Sequence, residues 1–127
     1  LKEINQKFGT AIILITHDLG VIAECADHVA VMYAGKIVEK ASVKEIFRQP
    51  KHPYTKGLLQ SIPTLEKQEG ELHSIPGIVP SIYHLPAGCA FRERCPYRMA
   101  CCQKGEVPEI ISGETMVRCW KYGGNQS

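Results

Sequence analysis

Four cysteines near one end of the chain restrict its folding more than any other feature. Cys89, Cys95, Cys102 and Cys119 follow the spacing C-x5-C-x6-C-x16-C, inside GCAFRERCPYRMACCQKGEVPE and closing on VRCW. The segment has little hydrophobic periodicity. A small loop-rich unit is therefore expected, with too little apolar surface to hold itself together. A metal bound by several thiolates would supply the missing stability. The residues leave three readings open. A [4Fe–4S] cluster needs four thiolates around a body bulkier than one ion, and it accepts irregular spacing. A structural zinc ion takes four thiolates too, usually from tighter C-x2–4-C pairs. Disulfides require an oxidising compartment.

The neighbours of these cysteines carry smaller expectations. Cys101 is either a substitute for Cys102 or a free, redox-active thiol, and Cys25 reads as a small buried hydrophobe on a helix. Arg92, Arg94 and Arg98 are interleaved with these cysteines; they either offset the charge of a thiolate-bound centre or form a solvated face. Trp120 is expected to pack over the site, whereas His28, His73 and His84 have no spacing that makes a metal set.

The chain's 127 residues suit one domain, or a fragment with a small appendage. It begins at Leu1, inside what reads as an amphipathic helix, so a piece of a longer protein is expected. A net charge of +2 gives no support to a nucleic-acid partner. No stretch approaches the roughly 20 apolar residues that span a bilayer. With no signal-peptide pattern, a cytosolic setting is expected, and six cysteines there are better explained by metal than by disulfides.

Leu1 to Phe8 reads as a helix end, stopped by Gly9. Ala11 to Ile15 is a continuous, largely β-branched run, which predicts a strand buried on both faces of a parallel sheet. His17 follows it, where α/β sheets place chemistry. Asp18 can cap a helix over Leu19 to Ala26, with Leu19, Val21, Ile22 and Ala26 as its apolar face. Val29–Tyr33 and Lys36–Lys40 read as strands around an Ala34-Gly35 turn. Ser42 can cap a helix over Val43–Arg48, and Pro53 can start one running to about Ser61. Pro63 to Gly88 reads as an irregular connector.

The run GTAIILITHDLGVIAECADHVAVMYAGKIVE, followed by SVKEIF, resembles the last part of the ATP-binding subunits of ABC transporters. The resemblance covers residues 1 to about 48. It implies that His17 is the switch histidine, which contacts the γ-phosphate of ATP and couples it to the dimer interface. KHPYTKGLLQSIP (Lys51 to Pro63) resembles the oligopeptide and dipeptide importers, a branch that includes nickel importers. His52 and Tyr54 within it are expected to be structural. LPAGCAFRERCPYRMACC…VRCW resembles the C-terminal extension of the same branch. There the resemblance implies Cys89, Cys95, Cys102 and Cys119 as ligands of a [4Fe–4S] cluster, with zinc as the alternative. Cys101 does not match that pattern.

The departures limit what the chain can do alone. It has no G-x-x-x-x-G-K-[ST] phosphate loop: Gly35-Lys36 is followed by Ile37, and Ala30 stands where the first glycine is needed. The family's signature motif and magnesium-binding acidic strand are also absent from these residues. ATP and Mg are therefore expected only in the full-length parent, and this chain is expected to be inactive alone.

The fold class expected is α/β: the C-terminal fragment of a P-loop NTPase-type ABC nucleotide-binding domain over 1–62, a connector over 63–88, and a small loop-rich cysteine domain over 89–127. The resemblance implies partners in the parent, namely membrane permease subunits and a second ATPase subunit, at the cytoplasmic face of the cell membrane. It implies ATP-driven import of peptides, or, as a lesser choice, nickel. The alternative is a stand-alone structural zinc or metal-binding interaction module. A nucleic-acid-binding zinc module is a weaker third reading, because it calls for a stronger basic patch. An unpaired strand over 11–15 predicts self-association.

Overall fold

The computed structural model of the chain describes residues 2–61, 77–103 and 106–122. Much of the expected connector, through residue 76, thus lies outside the described residues. Helix α1 (Lys2–Phe8) stops at Gly9, whose φ of +63° lies in the left-handed region that favours glycine.

Residues 9–16 form neither helix nor strand, and Ile13 and Ile15 are 91% and 93% exposed. This corrects the buried strand expected over 11–15. A parallel strand is held by hydrogen bonds to neighbours and by helices covering both faces. Among the described residues no strand runs beside this one. An apolar, β-branched run becomes a strand only where a sheet receives it.

Helix α2 (Leu19–Cys25) starts on Asp18, whose Oδ1 accepts the N–H groups of Gly20 at 3.0 Å and Val21 at 3.3 Å. Ile22 and Ala26 pack against the core, but no residue of the helix is fully buried and Val21 is exposed. Cys25 is accordingly half-buried rather than a core residue.

Strands β1 (His28–Tyr33) and β2 (Lys36–Ser42) form an antiparallel hairpin. Its turn residues Ala34 and Gly35 both have positive φ, +50° and +85°, as a two-residue turn matched to the strand twist requires. Val29, Val31 and Tyr33 point inward on β1. On β2 the register slips by one residue, because Val31 faces Glu39 while Met32 faces Ile37. Val38 is the extra residue of this bulge, so the consecutive residues Val38 and Glu39 are both buried.

Strand β4 (Thr115–Arg118) pairs with β2, and β3 (Glu109–Ser112) pairs with β4, giving the antiparallel order β1-β2-β4-β3. These two strands lie where the sequence predicts only loops. The fold is a small mixed one of helices and antiparallel sheet. Ser42 caps α3 (Val43–Arg48) by accepting the Glu45 N–H at 3.3 Å, and Pro53 opens α4 (Pro53–Gln60). The core combines Val29, Val31, Tyr33, Val38, Ala41 and Ile46 with Phe91, a residue of the cysteine-rich segment.

Candidate functional site

Phe91 fixes the cysteine segment to the sheet. Its side chain is 2% exposed, and its ring lies 5.1 Å from that of Tyr33 and 5.4 Å from that of Tyr54. Such aromatic packing is directional as well as apolar. Around this anchor the backbone turns tightly through short 3-10 segments at Arg92–Arg94 and Ala100–Gln103. The Cys89 N–H donates to the Cys102 carbonyl at 2.8 Å, which ties the first and third cysteines together. A third 3-10 segment, Trp120–Tyr122, follows Cys119.

These turns bring Cys89, Cys95, Cys102 and Cys119 to one pocket, lined also by His52, Phe91, Trp120 and Lys121. Cys101 does not line it. Backbone N–H groups point at the sulfurs: Tyr97 donates to Cys95 Sγ and Met99 to Cys102 Sγ, each at 3.3 Å. Those of Phe91 and Arg92 act on Cys89, and that of Lys121 on Cys119. Such donors favour thiolates. Burial and mutual repulsion oppose them. Burial pushes the Cys89 and Cys95 thiols up, and burial with the three neighbouring cysteines pushes Cys119 up to about 11. Without a cation the cluster therefore favours protonated thiols; a bound cation would reverse that balance.

The donor chemistry fits a thiolate-bound metal group, since four sulfurs share one pocket. Trp120 supplies a second observation. Its indole Nε1 is buried and meets no acceptor among the described residues, and Trp120 lines the pocket. Yet among the described residues no three His, Cys, Asp or Glu side chains are grouped to hold one metal ion.

One lining residue, His52, belongs to a buried hydrogen-bonded group. Glu39, 1% exposed, accepts the Lys51 N–H through both oxygens, at 2.9 and 3.1 Å, and the His52 N–H at 2.9 Å. His52 Nδ1 in turn accepts the Tyr54 N–H at 3.0 Å and caps α4. Burial pulls the His52 pKa down to about 4, so the ring is neutral at pH 7. This is the structural role expected of it.

The arginines divide. Arg92 lines the pocket, but its guanidinium is engaged by the Ala87 carbonyl and Glu93. Arg94 donates to the Tyr33 hydroxyl at 3.3 Å, on the core side. Arg98 is exposed, with its charge acting on Cys95. Sequence reasoning missed Lys56 and Lys121, which flank the ring of Tyr97 near Cys119. No sequence signal pairs residues 65 positions apart. His17 is exposed and stands in the turn before α2, and its side chain makes no hydrogen bond among the described residues.

A small helix-and-sheet unit bearing a four-thiol pocket is thus the class of protein defined by fold and site. The family model described as the C-terminal region of oligopeptide/dipeptide transporters matches residues 38–102. The chain is 50% identical to the dipeptide transport ATP-binding protein DppD of Bacillus subtilis (strain 168), covering 94% of this chain and 36% of that protein. It is 48% identical to the oligopeptide transport ATP-binding protein AppD of the same strain, covering 100% and 40%. Against the oligopeptide transport ATP-binding protein OppD of Salmonella typhimurium it is 44% identical, covering 95% and 36%. The chain belongs to the oligopeptide/dipeptide transporter C-terminal-region family. It spans 36 to 40% of the length of these curated relatives. No helix among the described residues is long and apolar enough to cross a membrane.

Proposed function

We propose that these residues form part of the ATP-binding subunit of an importer of oligopeptides or dipeptides, and that the four-thiol pocket holds a [4Fe–4S] cluster. The transport reading is supported by relatives whose names are those of peptide-transport ATP-binding proteins. In it, residues 1–62 close the nucleotide-binding domain, 63–88 connect, and 89–127 carry the cysteines. His17 is exposed beside the α2 cap, which suits a side chain that meets the ATP γ-phosphate only in the assembled subunit. ATP and Mg belong to the full-length parent. The partners proposed are membrane permease subunits and a second ATPase subunit, at the cytoplasmic face of the membrane. The exposed run at Ile13 and Ile15 supports burial against the rest of that domain, or against a second copy when the chain is alone.

The cofactor reading rests on one observation: Cys89, Cys95, Cys102 and Cys119 line one pocket. A [4Fe–4S] cluster takes four thiolates and accepts their irregular spacing. When bound, the cluster would supply structural cross-linking and a one-electron couple. The chain's residues do the remaining work. The four thiols lose their protons to become ligands, the N–H groups of Tyr97 and Met99 orient two of the sulfurs, and Phe91 holds the loop on the sheet. A zinc ion on the same cysteines is the alternative, with the sulfurs drawing inward.

The test is anaerobic purification of the chain, with absorption spectra and iron, sulfide and zinc analysis. A broad band near about 400 nm with iron and sulfide in equal amounts supports the cluster. About one zinc per chain without sulfide replaces it with a structural zinc site.

A further inference from the structure

Two ring N–H groups at the four-thiol pocket meet no acceptor among the described residues. His52 is 1% exposed and lines the pocket beside Cys89, Cys95, Cys102 and Cys119. Its Nδ1 accepts the Tyr54 N–H at 3.0 Å. A backbone amide nitrogen only donates, so Nδ1 carries a lone pair and the ring proton stands on Nε2. That Nε2–H makes no hydrogen bond among the described residues. The ring is not free to turn and find an acceptor. Phe91 packs against it, with centroids 5.7 Å apart, and turning would break the cap of α4.

Trp120 repeats the pattern from the other end of the chain. Its Nε1 is buried and meets no acceptor among the described residues, and it lines the same pocket. An indole N–H donates and never accepts. Donors left in this way are rare and costly. Two of them on one pocket call for an occupant that presents acceptor atoms. The sulfurs lining the pocket select a soft metal centre rather than a free oxyanion. Backbone N–H groups of the same pocket already go to sulfur, from Tyr97 to Cys95 Sγ and from Met99 to Cys102 Sγ.

We propose that His52 Nε2–H and Trp120 Nε1–H are hydrogen-bond donors to the sulfur atoms of a metal centre held by Cys89, Cys95, Cys102 and Cys119. The inference rests on the cofactor reading above and adds the residues that orient its sulfurs. Both are positioning residues; neither is a ligand. His52 then has two separate tasks, with Nδ1 capping α4 and Nε2 serving the centre. Donors to sulfur slow the loss of metal. In an iron–sulfur centre they also raise the midpoint potential, because the reduced state carries more negative charge on its sulfurs.

Two substitutions separate the two tasks of His52. Asparagine places an acceptor where Nδ1 stands and nothing at Nε2; glutamine reaches the Nε2 position with an amide N–H and gives up the cap. The full chain is loaded anaerobically with iron and sulfide, and in parallel with zinc, as wild type, His52→Asn, His52→Gln, Trp120→Phe and the double variant His52→Asn with Trp120→Phe. The double variant should lose metal to a chelator about 10- to 100-fold faster than wild type, the usual scale for groups supporting metal ligands. The midpoint potential of its iron–sulfur form should be more negative, and His52→Gln should keep both properties near wild type. In the metal-free chain the order should reverse, with His52→Gln lowering the urea midpoint and His52→Asn leaving it in place. Nitrogen-15 NMR of the metal-free wild type should find the His52 ring proton on Nε2. A proton on Nδ1, or unchanged metal retention and potential in the double variant, overturns the donor assignment and leaves the cofactor reading standing. Metal retention that follows the urea midpoint instead, lost in His52→Gln and kept in His52→Asn, shows a merely structural histidine and overturns it too. A wild-type chain that takes up neither iron–sulfur nor zinc overturns both.

Discussion

Glu39→Ala should be among the most damaging single changes outside the cysteines. The carboxylate is 1% exposed and accepts two backbone N–H groups, those of Lys51 and His52, where the chain passes from α3 to α4. Alanine leaves both donors without an acceptor. A buried unsatisfied donor costs about 1–3 kcal/mol, and the half-buried Lys51 N–H can recover part of its share from water. Removing a buried charge returns some desolvation free energy as well. We predict a net loss of about 3 kcal/mol. Glu39→Gln should cost only about 1 kcal/mol, because a single oxygen at the Oε1 position still reaches both N–H groups. Urea unfolding of the chain followed by circular dichroism measures both. An alanine cost below about 1 kcal/mol, or equal costs for the two variants, would refute the reasoning, since the carboxylate would then not be satisfying these donors.

Phe91→Ala should destabilise the chain by about 3–5 kcal/mol and abolish the near-ultraviolet signal of the Tyr33–Tyr54–Phe91 group; a change under about 1 kcal/mol would mean that the cysteine segment is not anchored there. His52 has a folded pKa of about 4, below its ordinary value of 6.5. Its unfolded state therefore binds the extra proton first, and stability present above pH 6.5 should fall as pH drops towards 4, by up to about 3 kcal/mol. His52→Asn, which keeps a capping acceptor, should remove this slope from the pH dependence of urea unfolding. Metal uptake must strip protons from thiols that burial holds in the neutral form, Cys119 most of all. Apparent metal affinity should then rise between pH 6 and 8 by about tenfold per unit for each proton released, and a pH-independent affinity by chelator competition would contradict this.

Local features were readable where local chemistry decides them. Asp18 and Ser42 cap helices because a short side-chain oxygen reaches the next turn, and the sequence places each directly before an apolar run. The β1–β2 hairpin follows from two alternating strands around Ala34-Gly35. The same locality misled over Ala11 to Ile15, whose composition is that of a buried strand and whose Ile13 and Ile15 are exposed here. A strand is a property of the sheet around it as much as of its own residues.

The sequence by itself determined which cysteines are available, the helix caps and the hairpin turn, because each depends on residue identity or on groups a few positions apart. Only the tertiary structure decided the rest. It paired β4 with β2, gave Phe91 to the sheet's core, buried Glu39 through a one-residue bulge and set Lys56 beside Lys121. Each of these joins groups far apart in the chain, and their pairing is chosen by the burial and hydrogen bonding of the whole fold, which no short stretch encodes.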